Sequence, residues 1–197
     1  MRKELPHFRL GLSYGGNQDW FREPMMRLGG CAAQTVCEMS IYLDLYKGTR
    51  LYPFDVNNLS KSDYIKFASI VKPYLRPRMR GIDRLDIYID GFSQFLKDRS
   101  CCLTVSGFEG TEDVEAAQNI VKSQLDSGIP VPYLLLHHSD REYKDYEWHW
   151  FLLNGYEEYE DAFFVKAVTY GEFQWLDFQR LWNTSVSPKG GFIVIKL

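Results

Sequence analysis

The chain has 197 residues, of which 45% are hydrophobic, 16% aromatic and 25% charged, and its formal net charge is −3. These values are typical of one globular domain with a sizeable core. Because the sequence lacks an extended basic run and its aromatic residues are not interleaved with Lys and Arg, we expect no nucleic-acid partner. The longest apolar run, IPVPYLLL, has the length of a strand, and no signal-like apolar stretch follows the basic amino terminus. We therefore expect a cytoplasmic protein with no membrane partner.

The four cysteines, at positions 31, 37, 101 and 102, are expected to be thiols because cytoplasmic proteins rarely carry disulfides. Neither the five-residue gap in the first pair nor the adjacent second pair has the spacing of a zinc site. We expect no metal and no cofactor. The sequence carries no signal of oligomeric state.

The first hundred residues are expected to be mainly helical. Apolar residues recur at three- and four-residue intervals from Cys31 to about Tyr46, which predicts a helix that Gly48 ends. The stretch LSKSDYIKFASIVKPYL predicts a second helix, capped by Ser60 or Ser62. The other predictions for this half are an irregular, glycine-rich segment at residues 11–30 and a third helix in GIDRLDIYIDGFSQFLKDR.

Strand patterns dominate from about residue 101. One clear helix interrupts them, in TEDVEAAQNIVKSQLDSG, with Thr111 as the expected cap and Gly128 as the stop. The stretches WHWFLLNGY and AFFVKAVTY predict two strands joined by the acidic turn EEYED. The remaining predictions are strands in CCLTVSGF, IPVPYLLLHH and GGFIVIKL, a charged loop in DREYKDYE and a short helix in WLDFQRLWN.

Helices and consecutive, antiparallel strands are thus segregated along the chain, which predicts the α+β class. We expect one domain over residues 1–197, with a helical half at about 1–100 and a sheet half at about 101–197.

Cys31 follows Gly29 and Gly30 directly and stands at the predicted start of a helix. Unpaired backbone N–H groups and the helix dipole favour a thiolate at this position, and the same N–H groups can stabilise an oxyanion. The glycines allow a tight turn and a close approach of substrate to the sulfur. The alternative is a small buried hydrophobic residue, which is what we expect of the other three cysteines.

A nucleophilic cysteine needs a base, and His149 is the best candidate among the four histidines because it opens a predicted strand. His7 lies in an unpatterned tail and is expected to be solvated. His137 and His138 lie where a strand runs into a charged loop and are expected at a rim.

The order of these motifs resembles that of the papain-like cysteine peptidases, most closely the bacterial branch that includes the peptidases removing double-glycine leaders. The resemblance covers nearly the whole chain from about residue 11 and implies a papain-like fold. It is carried, in chain order, by GNQDW, GGCAAQTV, SGIPVPYLLL, HWFLLNGY, FFVKAVTYG and FQWLDFQRLW.

The resemblance implies that Cys31 is the nucleophile and His149 the general base and acid. It implies that the side-chain amide of Gln18 and the backbone N–H of Cys31 form the oxyanion hole, with Asn17 as the alternative donor. Trp148 and Trp150 flank His149 and are expected to line the substrate side of the site or to shield it from water; the alternative is plain packing in the core, as is common for large aromatic residues in strands.

The chain departs from the family at the third member of the catalytic group. With the hairpin turn centred near Glu158 or Tyr159, His149 is expected to face Val168 or Thr169, where the family has an acid or amide. The hydroxyl of Thr169 can hold the imidazole but brings no charge. Four acids elsewhere could replace it: Asp177, Glu172, Asp140 and Asp145.

The implied function is acyl transfer by a Cys–His dyad or triad, with a peptide, isopeptide, amide or acyl thioester as substrate. The resemblance does not separate a hydrolase from an acyltransferase. The missing acid favours a second hypothesis, an inactive papain-like module that binds a peptide or small acyl ligand.

Overall fold

Nine strands form the sheet structure of the protein, whose computed structural model describes residues 1–197. Six of them follow position 100, and three are short strands near the amino terminus. The strands are β1 (Arg2–Glu4), β2 (Arg9–Leu10), β3 (Ser13–Tyr14), β4 (Thr104–Glu109), β5 (Val131–Leu135), β6 (His149–Glu158), β7 (Phe163–Thr169), β8 (Glu172–Asp177) and β9 (Gly191–Lys196).

Seven of these strands build one antiparallel sheet, in the order β4-β9-β5-β6-β7-β8, and β1 adds to the free end of β6. The last strand of the chain, β9, therefore lies between β4 and β5, so sequence neighbours are not always sheet neighbours. β2 and β3 form a separate hairpin.

Six α-helices accompany the sheet, four of them before position 100. Two short 3-10 helices, Gln18–Trp20 and Arg141–Tyr146, lie in the connecting segments. The α-helices are α1 (Pro24–Gly29), α2 (Cys31–Lys47), α3 (Lys61–Val71), α4 (Leu85–Asp98), α5 (Val114–Asp126) and α6 (Phe178–Trp182).

The predicted α+β class is confirmed. Helix α2 ends at Gly48, whose left-handed backbone (φ 71°) closes the last turn, and Ser60 caps α3 by accepting a hydrogen bond from the backbone of Asp63. The cap of α5 is Asp113, not Thr111 as predicted, because the helix begins two residues later than a Thr111 cap would place it and the aspartate accepts the backbone hydrogen bond of Ala116.

Three predictions of local structure were wrong. The segment at residues 11–30 contains α1 as well as loop, and DREYKDYE forms a 3-10 helix whose Tyr143 and Tyr146 are buried. The first residues of WLDFQRLWN end strand β8, and the helix begins only after Asp177, which caps it. Each of these elements is short, so its residues carry little periodicity, and tertiary packing decides its conformation.

Both faces of the sheet are covered by helices, which makes three layers. In β6, Trp150 and Leu152 pack into one core with α2, α3 and α4, whereas Phe151 and Leu153 pack into the other with α5 and α6. This alternation follows from the two-residue period of a strand. A strand buried on both faces reads as a continuous apolar run, as FLL does here.

Helix α2 is buried on all sides from Cys31 to Leu43, between the sheet and the other amino-terminal helices. Its polar residues are therefore paired inside the protein. Glu38 accepts hydrogen bonds from the backbone of Gly16 (2.6 Å) and the hydroxyl of Tyr64 (2.8 Å), and His7 lies 3.0 Å from its other oxygen. This network ties the amino-terminal segment to the helix that carries Cys31.

The expectation that His7 is solvated was wrong. Its side chain is 0% exposed, and its ring stacks on Phe8 and Tyr14. A histidine buried in a segment without apolar periodicity gives no sequence signal, because its partner Glu38 is 31 positions away.

Removing the Glu38 carboxylate should destabilise the fold strongly. We expect Glu38→Ala to lower the free energy of unfolding by about 3–5 kcal/mol, since it leaves a buried N–H, hydroxyl and imidazole without their acceptor. Urea denaturation followed by circular dichroism measures this change. Glu160→Ala, at an exposed position in the β6–β7 turn, is the control and should leave the midpoint unchanged. Equal effects of the two substitutions would contradict the structural role of Glu38.

Candidate active site

A cavity of about 670 Å³ opens where the first turn of α2 meets the start of β6. Cys31, His149 and Gln18 all line it, although they are far apart in the sequence. The other lining residues are Asp19, Arg27, Leu28, Met79, Arg80, His137, Glu147, Trp148 and Tyr170.

Cys31 is the first residue of α2, and Gly30 is both the C-cap of α1 and the N-cap of α2. A Cβ added at Gly30 would lie 2.3 Å from the carbonyl oxygen of Met26, and one at Gly29 would lie 2.0 Å from that of Arg78. The two glycines are thus required by close backbone packing, which sets the sharp junction between the helices. The junction holds the sulfur of Cys31 at the helix start, beside the backbone N–H groups of the first turn.

Three backbone N–H groups, those of Trp150, Ala32 and Cys31 itself, contribute to the electrostatic environment of the sulfur. They act to lower the pKa of the thiol, but burial is the larger effect and raises the pKa above its ordinary value. Cys31 is 3% exposed, partly because Gly81 passes beside it, where an added Cβ would lie 3.7 Å from the sulfur. At neutral pH the resting residue is therefore a thiol.

The imidazole of His149 is held on one edge and one face. Its Nε2 atom lies 2.6 Å from the hydroxyl oxygen of Thr169, and its ring stacks on Tyr170 with centroids 4.7 Å apart and planes 4° apart. Nδ1 makes no hydrogen bond within the protein, which leaves it available to a thiol or substrate in the cavity. Burial lowers the pKa of His149 to about 4, so the ring is neutral at pH 7.

None of the four acids considered as the third member contacts His149. Asp177 caps α6, and Asp140 caps a 3-10 helix and pairs with Arg180. Asp145 and Glu172 line a second depression, of about 390 Å³, on the other side of Thr169. The partner of the imidazole is therefore an uncharged hydroxyl.

The register predicted for the β6–β7 hairpin was wrong, although the ring of His149 does reach Thr169. Val168 pairs with Leu152, three positions beyond His149, because the turn spans residues 159–162 and a bulge follows Leu153. The imidazole meets Thr169 diagonally across the two strands.

Gln18 is buried (4% exposed) and lines the cavity. Its amide nitrogen donates one hydrogen bond to the carbonyl oxygen of Arg27 (2.6 Å), which leaves its second N–H free. Asn17 does not line the cavity: it donates to the carbonyl oxygen of Tyr170 and accepts from the backbone of Asp19. The structure therefore does not support Asn17 as the alternative donor or as a substrate contact, because these two hydrogen bonds hold its side chain outside the cavity.

The two tryptophans beside His149 have different surroundings. Trp148 lines the cavity, but Trp150 is 1% exposed, stacks on Tyr88 at 4.2 Å and donates to the carbonyl oxygen of Ile82. Strand alternation turns the indole of Trp150 into the core, so it packs there and leaves no surface toward the cavity. The backbone N–H of Trp150, in contrast, acts to lower the pKa of the Cys31 thiol, against the larger effect of burial.

His137 and His138 both lie beside the loop that leads to β6. His137 lines the cavity and its ring meets Trp148 edge-on. His138 accepts a hydrogen bond from the backbone of Asp140 and lies 2.9 Å from the carbonyl oxygen of Arg180, which fixes it as a structural residue.

Sequence reasoning missed Tyr170 and Gly81, which the structure brings to His149 and Cys31. Backbone geometry marks the region: Trp148 (φ 55°) and Tyr170 (φ 52°) are two of only four residues other than glycine with positive φ. Such conformations are unfavourable for large side chains and cluster at functional sites. The Tyr170-Gly171 pair in the sequence was the one available signal of this turn.

Among the helices of the structure, none has both the length and the apolar character that a membrane crossing requires. Comparisons with family models, curated proteins and solved structures found no match to this chain.

The raised pKa of Cys31 predicts slow alkylation at neutral pH. With iodoacetamide, we expect the rate at Cys31 to rise with pH up to and beyond the ordinary thiol value of 9.0, with no fast plateau at low pH. Mass spectrometry of peptides after timed labelling gives the rate at each cysteine. The exposed Cys102 is the internal comparison and should react faster at neutral pH. A pH-independent fast phase at Cys31 would instead indicate a resting thiolate–imidazolium pair.

The lowered pKa of His149 predicts a pH-dependent stability. As pH falls from 6.5 to about 4, the unfolded chain takes up this proton while the folded chain does not, so the free energy of unfolding falls. The contribution of His149 to this loss should be about 3 kcal/mol and be complete near pH 4, from about 1.36 kcal/mol for each pKa unit. Urea denaturation at a series of pH values should show this loss in the wild type and in His137→Gln, but not in His149→Gln. The same pH dependence in all three chains would contradict a buried, neutral His149.

Proposed function

We propose that this protein is a papain-like, cysteine-dependent acyl-transfer enzyme, which cleaves or transfers an amide or related acyl group. The observation that carries the proposal is the shared cavity: Cys31, at a helix start, and His149, with a free Nδ1, line one open space together with Gln18. The papain-like resemblance of the sequence belongs to this proposal, since it assigns roles to the same three residues.

The proposed first step is attack by the sulfur on the substrate carbonyl carbon. The Cys31 thiol gives its proton to Nδ1 of His149 as the carbon–sulfur bond forms, because both groups are neutral at rest. The imidazolium then protonates the leaving amine as the carbon–nitrogen bond breaks, which leaves a thioester on Cys31. Water, or another nucleophile, gives a proton to Nδ1 as it attacks the thioester carbon. The carbon–sulfur bond then breaks, the imidazolium returns the proton to the sulfur, and the acyl product leaves with Cys31 again a thiol.

The developing oxyanion needs preformed donors. The free N–H of the Gln18 amide and the backbone N–H of Cys31 are the candidates, because Gln18 lines the cavity and its position is set by the bond to Arg27. The carbonyl oxygen of the Gln18 amide has no partner and is buried. Such an unsatisfied group is costly, and a functional requirement on the orientation of the amide accounts for it.

Thr169 positions the base in this proposal. The proposed base is the tautomer in which the Thr169 hydroxyl accepts from Nε2–H, because the lone pair then lies on Nδ1. The hydroxyl gives the imidazolium no negative charge, so it stabilises the charged form less than a carboxylate would. Tyr170 shields the same hydrogen bond by covering one face of the ring.

A second candidate function is a binding module without activity. The burial of Cys31, its raised pKa and the absence of a carboxylate at His149 favour it. In that case the cavity retains a peptide or acyl ligand but performs no chemistry on it.

Acylation by p-nitrophenyl acetate separates the two candidates. We expect the wild type to acetylate Cys31, seen as a mass increase that maps to this residue, and to release p-nitrophenol on repeated turnover. His149→Ala should slow acylation roughly 100- to 10,000-fold by removing the base, and Cys31→Ala should abolish it. Intact-mass spectrometry and absorbance measure the two quantities.

The controls are chosen at matched positions. In the Cys102→Ser variant, which lacks the exposed thiol, Cys31 should be acetylated at the wild-type rate. Thr169→Val should slow acylation of Cys31 less than His149→Ala does. Thr169→Ser should keep the wild-type rate because it keeps the hydroxyl. If Cys31 is acetylated no faster than the buried Cys37, and His149→Ala does not change the rate, the proposed enzymatic activity is wrong and the binding module is favoured.

A further inference from the structure

One wall of the cavity carries arginines next to exposed apolar side chains. Arg27 and Leu28 lie at the end of α1, and Met79 and Arg80 lie in the loop before α4. The two segments are in contact, since the carbonyl oxygen of Arg78 packs against Gly29. We call Arg27, Leu28, Met79 and Arg80 the arginine wall.

The guanidinium groups of this wall have no partner in the protein. The side chains of Arg27 and Arg80 take part in no ion pair or hydrogen bond, whereas Arg84 pairs with Asp86 and Arg180 with Asp140. Leu28 and Met79 are 62% and 78% exposed. Apolar side chains this exposed at the mouth of a cavity are typical of a binding surface.

The acids of the cavity do not neutralise the wall. Glu147 is 7% exposed and already pairs with Lys144 and His137. Asp19 pairs with neither Arg27 nor Arg80; its charge adds to the effect of burial in raising the pKa of Tyr170, so it lies near that residue. The free positive charge of the cavity is therefore concentrated on the arginine wall.

We propose that the arginine wall binds an acidic peptide segment that also carries an apolar side chain, and that such peptides are the substrate class. Guanidinium groups bind carboxylates through paired hydrogen bonds, and the flexible Met79 with Leu28 packs against the apolar side chain. A cavity of about 670 Å³ has the size of a site for a short peptide segment. As a statement about substrate, the inference rests on the proposed function, but the binding it requires can be measured without turnover.

Fluorescence anisotropy with the Cys31→Ala chain tests the binding. The probes are two fluorescein-labelled pools of short peptides, one composed of Glu, Leu and Gly and the other of Lys, Leu and Gly. We expect the acidic pool to bind about ten times more tightly or better, and rising salt to weaken it. A third pool of Glu, Ser and Gly should bind less tightly than the Glu, Leu and Gly pool because it lacks the apolar side chain.

The double variant Arg27→Glu/Arg80→Glu should reverse the preference for the acidic pool, and Arg27→Gln/Arg80→Gln should abolish it. Arg76→Glu is the matched control: it lies in the same arginine-rich loop, has no ion pair and does not line the cavity. It should leave the preference intact. Equal binding of the acidic and basic pools, binding of neither pool, or an equal effect of Arg76→Glu would overturn the inference.

These outcomes are distinguishable from a failure of the proposed function. If the acidic pool binds through Arg27 and Arg80 but the wild type fails the acylation test, the proposed binding site is supported and the proposed enzymatic activity is wrong. If Cys31 of the wild type is acetylated but the protein shows no preference between the pools, the proposed enzymatic activity is supported and the arginine wall has no role in substrate choice.

Discussion

The contact between the first turn of α2 and the first residues of β6 is the constraint on which the site depends. Cys31 and His149 line the same cavity, and Gly81 lies beside both the sulfur of Cys31 and the carbonyl oxygen of Trp148, the residue before His149. The indole of Trp150 holds this arrangement from inside the core, through its stacking on Tyr88 and its hydrogen bond to Ile82. Because Ile82 follows Gly81, the same indole also positions the loop that passes beside the sulfur. A residue that no ligand can touch thus sets the geometry of the residues that line the cavity.

Burial gives the pair its electrostatic character. It raises the pKa of Cys31 and lowers that of His149, so both effects favour the neutral thiol and the neutral imidazole. The uncharged hydroxyl of Thr169 fits this environment, since a carboxylate there would itself have to be desolvated. In the proposed mechanism the proton therefore moves during the attack on substrate. Thr169 and Tyr170 orient the imidazole of His149, whereas a carboxylate at this position would also stabilise its charged form.

The parts of the fold that could be predicted are those with a long, regular signal. Helix α2 has a clear pattern and a glycine stop, and β5 and β6 are apolar runs of strand length. The elements missed are short, such as α1 and β1, and exist because they pack on something distant in sequence. The register error arose in the same way, since a bulge after Leu153 and a four-residue turn cannot be read from the alternation of side chains.

The sequence by itself determined the class of the fold and singled out the thiol and the imidazole that lie in one cavity, because a cysteine at a helix start and a histidine at a strand start are local features. Tertiary structure alone decided what surrounds them. The burial that keeps them neutral, the hydroxyl that holds the imidazole and the unpaired arginines of the facing wall all come from segments that are remote in sequence. Burial and hydrogen bonding depend on which segments meet in space, and no local pattern encodes that meeting.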